Sequence, residues 1–291
     1  MKTAAFLAVA LWSAVVQGAA AQEKVAFPSH ALDPASGRPV EIAGVLYRPE
    51  GTGRFAAVVG LHGCSGMVDR NGRLFSTFRA WAEHLRGHGY VVLLVDSFTP
   101  RDLREVCGQG SNAASPSQVR PYDAYGALSY LEGLRFVNPD RVALMGWSHG
   151  GGSVLYTIAP ATGARPPPAI TRAEFKGAIA LYPAWCRSTT MGGSWRPIVP
   201  LLALLGAADD WTPALPCVEF LDGVKRRGGA VEYHIYPEAR HAFDMLSTEV
   251  RVLENVQAGA SGRAPSVGGN AAARTDAYAR VLAFLKSELG G

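Results

Sequence analysis

The stretch Arg141-Val142-Ala143-Leu144-Met145-Gly146-Trp147-Ser148-His149-Gly150-Gly151 runs from an apolar strand, through a serine set between glycines, into the start of a helix. Val142 to Met145 are apolar at every position, the pattern of a strand covered on both faces in a parallel sheet. Ser148 therefore falls on a strand-to-helix turn of the kind in which Gly-x-Ser-x-Gly occurs. Such a turn strains the serine backbone, and glycines two residues to either side remove side chains that would collide there. The hydroxyl is left above the carboxyl ends of the strands. Alone the five-residue pattern is a weak signal; between a buried strand and a helix it is a strong one.

Outward from this turn the same alternation repeats. Short apolar runs at 55–61, 90–96, 142–146, 175–182, 199–206 and 231–236 are separated by helix-patterned segments at 74–86, 119–134, 150–158, 214–227 and 275–289. This order predicts one doubly wound α/β domain with a mostly parallel sheet. Residues 25–27 and 40–47 read as antiparallel strands on its edge. Residues 160–171, with Pro166-Pro167-Pro168, and 257–270, rich in Gly, Ala and Ser, read as loops that mark no second domain.

A serine hydroxyl is a poor nucleophile near neutral pH and needs a base that a carboxylate orients. In chain order the carboxylate and the histidine follow, each on a loop after a later strand. The run 199–206 leads into Gly206-Ala207-Ala208-Asp209-Asp210-Trp211-Thr212-Pro213, which offers Asp209 as the acid with Asp210 as competitor. Either could instead be a helix cap or a loop carboxylate. The run 231–236 leads into Pro237-Glu238-Ala239-Arg240-His241, which makes His241 the base. His84 and His88 have the spacing of helical metal ligands but lack a third ligand, so no metal is expected. The negative oxygen of an acyl-transfer intermediate also needs fixed donors. His149 N–H, next after the nucleophile, supplies one, and the turn His62-Gly63-Cys64-Ser65-Gly66 supplies Cys64 N–H as the second. His62, Trp147, Trp185 and Trp211 stand beside these loops and are candidate pocket residues, with a structural role for His62 and a core-covering role for the tryptophans as the equal alternative. Arg101 and Arg120 either meet a substrate carboxylate or pair with Asp96 or Asp123.

The chain has 291 residues, 48% hydrophobic, with a formal charge of +4. This composition excludes intrinsic disorder, and the absence of any Lys/Arg block gives no sign of nucleic-acid binding. Residues 1–21 read as a cleavable secretory signal: Lys2, an apolar core and Ala19-Ala20-Ala21 occur in order, leaving 22–291 as the mature domain. A buried N-terminal helix is the alternative. No later apolar stretch is long enough to span a membrane. Export would permit disulfides among Cys64, Cys107, Cys186 and Cys217. Cys64 with Cys107 and Cys186 with Cys217 is the expected pairing, because each link would join neighbouring loops after strands on one edge of the sheet. Four reduced, buried thiols are the alternative.

His62 to Gly66, Asp96-Ser97-Phe98 with Arg101, Asp123-Ala124-Tyr125-Gly126-Ala127-Leu128, Gly146 to Gly151, Gly206 to Pro213, and Tyr236-Pro237 to His241-Ala242-Phe243 together resemble the dienelactone hydrolase family of α/β-hydrolases. In that family the carboxylate stands four residues before a proline, which selects Asp209. Dienelactone hydrolases proper carry cysteine as nucleophile, where this chain has Ser148. That exchange weakens any claim to dienelactone as substrate, and the resemblance implies a secreted serine hydrolase of carboxylic esters or lactones that requires no metal or organic cofactor. A serine peptidase, or a non-catalytic binding protein that keeps the fold, are the alternatives. Neither the substrate's acyl chain nor the oligomeric state is legible.

Overall fold

Val91-Val92-Leu93-Leu94-Val95 has no polar face, and the protein gives it none to expose: all five side chains are buried, with Val91, Leu93 and Val95 packing on one side of the sheet and Val92 and Leu94 on the other. A computed structural model describes residues 22–108, 114–160, 163–165, 171–257, 259 and 262–290. The expected signal segment, 1–21, lies outside the described residues. Eight strands form the central sheet: β1 (Gln22–Leu32), β2 (Pro39–Tyr47), β3 (Phe55–Leu61), β4 (Val91–Asp96), β5 (Val137–Trp147), β6 (Gly177–Leu181), β7 (Leu201–Gly206) and β8 (Val231–Tyr236). Their spatial order is β1-β2-β4-β3-β5-β6-β7-β8. The first two are antiparallel and the other six parallel. Order reverses at β3 and β5, the place where open α/β sheets leave a crevice at their carboxyl ends.

The helices α2 (Arg120–Glu132), α3 (His149–Thr157) and α5 (Ala214–Arg226) cover one face. The other face is covered by α1 (Ser76–Gly87) and α6 (Ala271–Leu289). One further short helix, α4 (Ser188–Met191), follows β6. The helix α6 begins earlier than its apolar pattern suggested because the Asn270 side chain accepts the Ala273 N–H at 3.0 Å and caps the first turn. Within 257–270, expected as loop alone, β10 (Ser266–Val267) pairs antiparallel with β9 (Arg251–Val252). Two residues are too few to show a period. Much of 160–171 lies outside the described residues.

Cys64 is joined to Cys107 and Cys186 to Cys217. The placement expected for the second pair needs correction. Cys217 lies on α5 rather than in a loop, and the two links stand on opposite sides of β5, not at one edge. Cys64 follows β3 and Cys107 follows its neighbour β4, whereas the other pair ties the β6 loop to the helix after β7. No helix among the described residues is long and apolar enough to cross a membrane.

Candidate active site

The turn between β5 and α3 has no room for side chains at its glycines. A Cβ on Gly150 would stand 2.0 Å from the Leu61 carbonyl oxygen, and one on Gly146 would stand 2.4 Å from that of Gly150. Ser148 between them takes φ 54°, a left-handed value that non-glycine residues rarely adopt. The turn is thus pressed onto the end of β3, and the hydroxyl projects over the sheet. His241 Nε2 lies 3.0 Å from Ser148 Oγ, and His241 Nδ1 lies 2.8 Å from Asp209 Oδ2. Asp209 is fixed in turn by the N–H groups of Trp211 and Thr212 on its other oxygen, at 2.9 and 2.8 Å. With Nδ1 donating to the carboxylate, Nε2 is the basic nitrogen that faces the hydroxyl. Such a line can draw the proton from Oγ and hold the resulting imidazolium.

Asp210, the competitor, points elsewhere. Its carboxylate accepts the N–H and the hydroxyl of Ser266, at 2.8 and 2.9 Å.

A cavity of about 620 Å3 opens beside Ser148; Cys64, His149, Trp185, Trp211 and Arg187 are among its lining residues. The N–H groups of Cys64 and His149 have no protein acceptor among the described residues. Two donors beside the hydroxyl are therefore free to hold an anionic oxygen.

His62 and Trp147, expected as pocket residues, are buried behind the cavity and do not line it. His62 donates from Nδ1 to the Gly63 carbonyl and accepts the Ser97 N–H on Nε2, so both its nitrogens are used inside the protein. Trp147 donates to Asp244 Oδ2 at 2.9 Å. Arg101 and Arg120 do not line the cavity either. Arg101 forms two bonds to Asp123, at 2.8 and 2.9 Å, and Arg120 donates to His149 Nδ1 at 2.9 Å. The rings of His84 and Tyr278 stack at 4.3 Å, and no cluster fit for a metal occurs among the described residues.

Asp244, which sequence reasoning passed over, is wholly buried and takes three donors: Trp81 Nε1 at 2.7 Å, Trp147 Nε1 at 2.9 Å and Tyr182 OH at 2.7 Å. It ties the loops carrying Ser148 and His241 to α1. Its partners are distant in sequence, so only its place three residues after His241 could have marked it. Burial raises its pKa, against the pull of those donors.

Burial holds His62 well below its usual range, and burial with the nearby Arg120 charge takes His149 down to about 2. Both rings are neutral in the native protein, so the unfolded chain binds more protons as pH falls below 6.5. Stability is therefore full above that pH and falls below it, by up to roughly 1.4 kcal/mol per pH unit for each ring. Asp244, whose pKa burial raises, acts in the opposite sense. Urea unfolding should show a lower midpoint at pH 5.5 than at pH 7.5; an equal or higher one contradicts the neutral burial of these rings.

The sheet, its crossing order and the strand-to-helix turn bearing Ser148 define an α/β-hydrolase fold. The dienelactone hydrolase family model matches residues 42–289, and the chain belongs to that family of hydrolases. None of the curated protein sequences matches it. Among solved structures it is similar to a dienelactone hydrolase-like promiscuous phosphotriesterase from metagenomic libraries, with TM-score 0.63 and 15% identity over 93% of this chain and 100% of that one. A thermophilic esterase from the planctomycete Thermogutta terrifontis matches with TM-score 0.60 and 16% identity, over 91% and 92% of the two chains. Dipeptidyl peptidase 4 of Porphyromonas gingivalis matches with TM-score 0.59 and 16% identity, over 92% of this chain but 35% of the peptidase. At these identities the likeness is one of fold.

Proposed function

We propose that the protein is an exported serine hydrolase that cleaves carboxylic esters or lactones through an acyl-enzyme. The observation that carries this reading is the hydrogen-bonded line from Ser148 Oγ through His241 to Asp209, at 3.0 and 2.8 Å. In this reading Ser148 Oγ attacks the carbonyl carbon while His241 Nε2 takes its proton. The Cys64 and His149 N–H groups hold the oxyanion; loss of one such donor costs roughly 3 kcal/mol of transition-state stabilisation. His241 then protonates the departing alkoxide, and water, deprotonated by the same imidazole, releases the acid. The reading as an exported protein draws support from the two disulfides together with the signal-like residues 1–21, cleaved after Ala21.

The esterase among the structural neighbours supports an ester over an amide, and the peptidase among them keeps peptide hydrolysis as the second reading. A panel of short and long p-nitrophenyl esters, simple lactones and dipeptidyl anilides separates the two. Hydrolysis of short esters or lactones, with anilides at least a hundredfold slower in kcat/KM, is the expected result. Faster turnover of the anilides overturns the ester assignment, and no turnover of any of them overturns the hydrolase reading.

A further inference from the structure

His149 carries a second hydrogen-bonding group besides its backbone N–H, and the protein leaves that group uncommitted. His149 lines the cavity beside Ser148, and its ring meets that of Trp185 nearly at right angles, at a centroid distance of 5.0 Å. Behind it stands Arg120, with no exposed surface, whose Nη1 lies 2.9 Å from His149 Nδ1. A guanidinium can only donate. His149 Nδ1 must therefore accept, and the proton of the neutral ring sits on Nε2. That Nε2–H has no protein acceptor among the described residues.

Arg120 is held in place for this task. Its Nε lies 3.4 Å from Ser97 Oγ, and its guanidinium packs 5.4 Å from the centre of the Phe98 ring. Burial lowers its pKa to about 9, which leaves it cationic at neutral pH. A protonated His149 would place a second cation against it, so the ring stays a neutral donor throughout the working range. In the proposed reading His241 is the imidazole that takes and returns a proton; His149 serves only as a donor.

We infer that His149 is a specificity-determining residue, whose Nε2–H binds an acceptor oxygen in the acyl group of the substrate, with Arg120 as the positioning residue that fixes the tautomer. The inference rests on the proposed acyl-enzyme reading. The carbonyl oxygen sits on the backbone N–H of His149, which brings the atoms next to it over the same residue's ring. The leaving alcohol faces His241, whose ring is flanked by Tyr182 and Trp211. The acyl group is left to the wall formed by His149 and Trp185. The substrate class is therefore esters with an alkoxy, hydroxy or keto oxygen close to the scissile carbonyl, in preference to plain alkanoates.

The test compares p-nitrophenyl methoxyacetate with p-nitrophenyl butyrate, which differ by one oxygen in place of one methylene. Their kcat/KM ratio is divided by the ratio of their hydroxide-catalysed rates, which removes intrinsic reactivity. The wild type should favour the methoxyacetate by about tenfold after this correction, the worth of one hydrogen bond. His149→Phe should bring the corrected ratio to about one, and His149→Gln, which keeps an N–H donor, should restore part of it. A corrected ratio near one in the wild type, or an unchanged ratio in His149→Phe, overturns the inference while leaving the hydrolase reading intact. Failure of the wild type to cleave either ester is the failure of that reading instead. Should the variants not fold, long-range proton–nitrogen NMR of the histidine-labelled wild type decides. A neutral Nε2–H signature for His149 persisting to pH 5 is expected; an Nδ1–H tautomer or an imidazolium overturns the inference.

Discussion

Ser148→Ala is expected to lower kcat on short esters by at least about 10^4-fold with the fold retained, because the proposed nucleophile acts as a unit with its base. The side chain removed is small and faces the cavity, so circular dichroism and the unfolding midpoint should change little. Removing His241 as well should cost little more, since an imidazole without a hydroxyl to activate has no further work. That near-zero second loss distinguishes a coupled line from two independent contributors, whose losses would multiply. A Ser148→Ala enzyme within tenfold of wild type would place the reaction at another nucleophile.

Asp123→Ala is expected to destabilise the protein by about 3–5 kcal/mol, the usual result of leaving a buried charge without its partner. Asp123 is fully buried, accepts both Arg101 bonds, and takes the Ser29 hydroxyl at 2.6 Å. It links β1, the turn after β4 and α2 around one carboxylate. Its removal leaves the Arg101 guanidinium buried with the Ser97 carbonyl at 2.7 Å as its one remaining acceptor among the described residues, and takes a counter-charge from Arg120. Urea denaturation measures the loss. A change below about 1 kcal/mol would mean that water or another carboxylate replaces the partner, and that Arg101 is not committed to structure.

What could be read in advance follows from how local each signal is. Strands such as Val91–Asp96, covered on both faces, announce themselves as unbroken apolar runs. The turn at Ser148 is marked by glycines whose need is steric and immediate. The line from Ser148 to His241 and Asp209 was legible because each member follows a strand end, which the sheet brings together. Pocket residues carry no such signal. Trp147 adjoins Ser148 in sequence, yet it ends β5 with its ring on the opposite course, packed against Phe78 and Trp81 of α1. His62 begins the turn after β3, with both nitrogens taken by backbone groups. Proximity along the chain does not decide which way a side chain faces. The link from Arg120 to His149 and the three donors on Asp244 join residues far apart in sequence, and only packing reveals them.

The central claim is that one hydroxyl, that of Ser148, is made nucleophilic by its surroundings. Treating the folded protein with a fluorophosphonate and mapping the adduct by peptide mass spectrometry tests it most directly. A single stoichiometric adduct on Ser148, absent from Ser148→Ala and slowed by orders of magnitude in His241→Ala, is the predicted result. Well-folded wild type that takes no label, or takes it on another residue, would contradict the account.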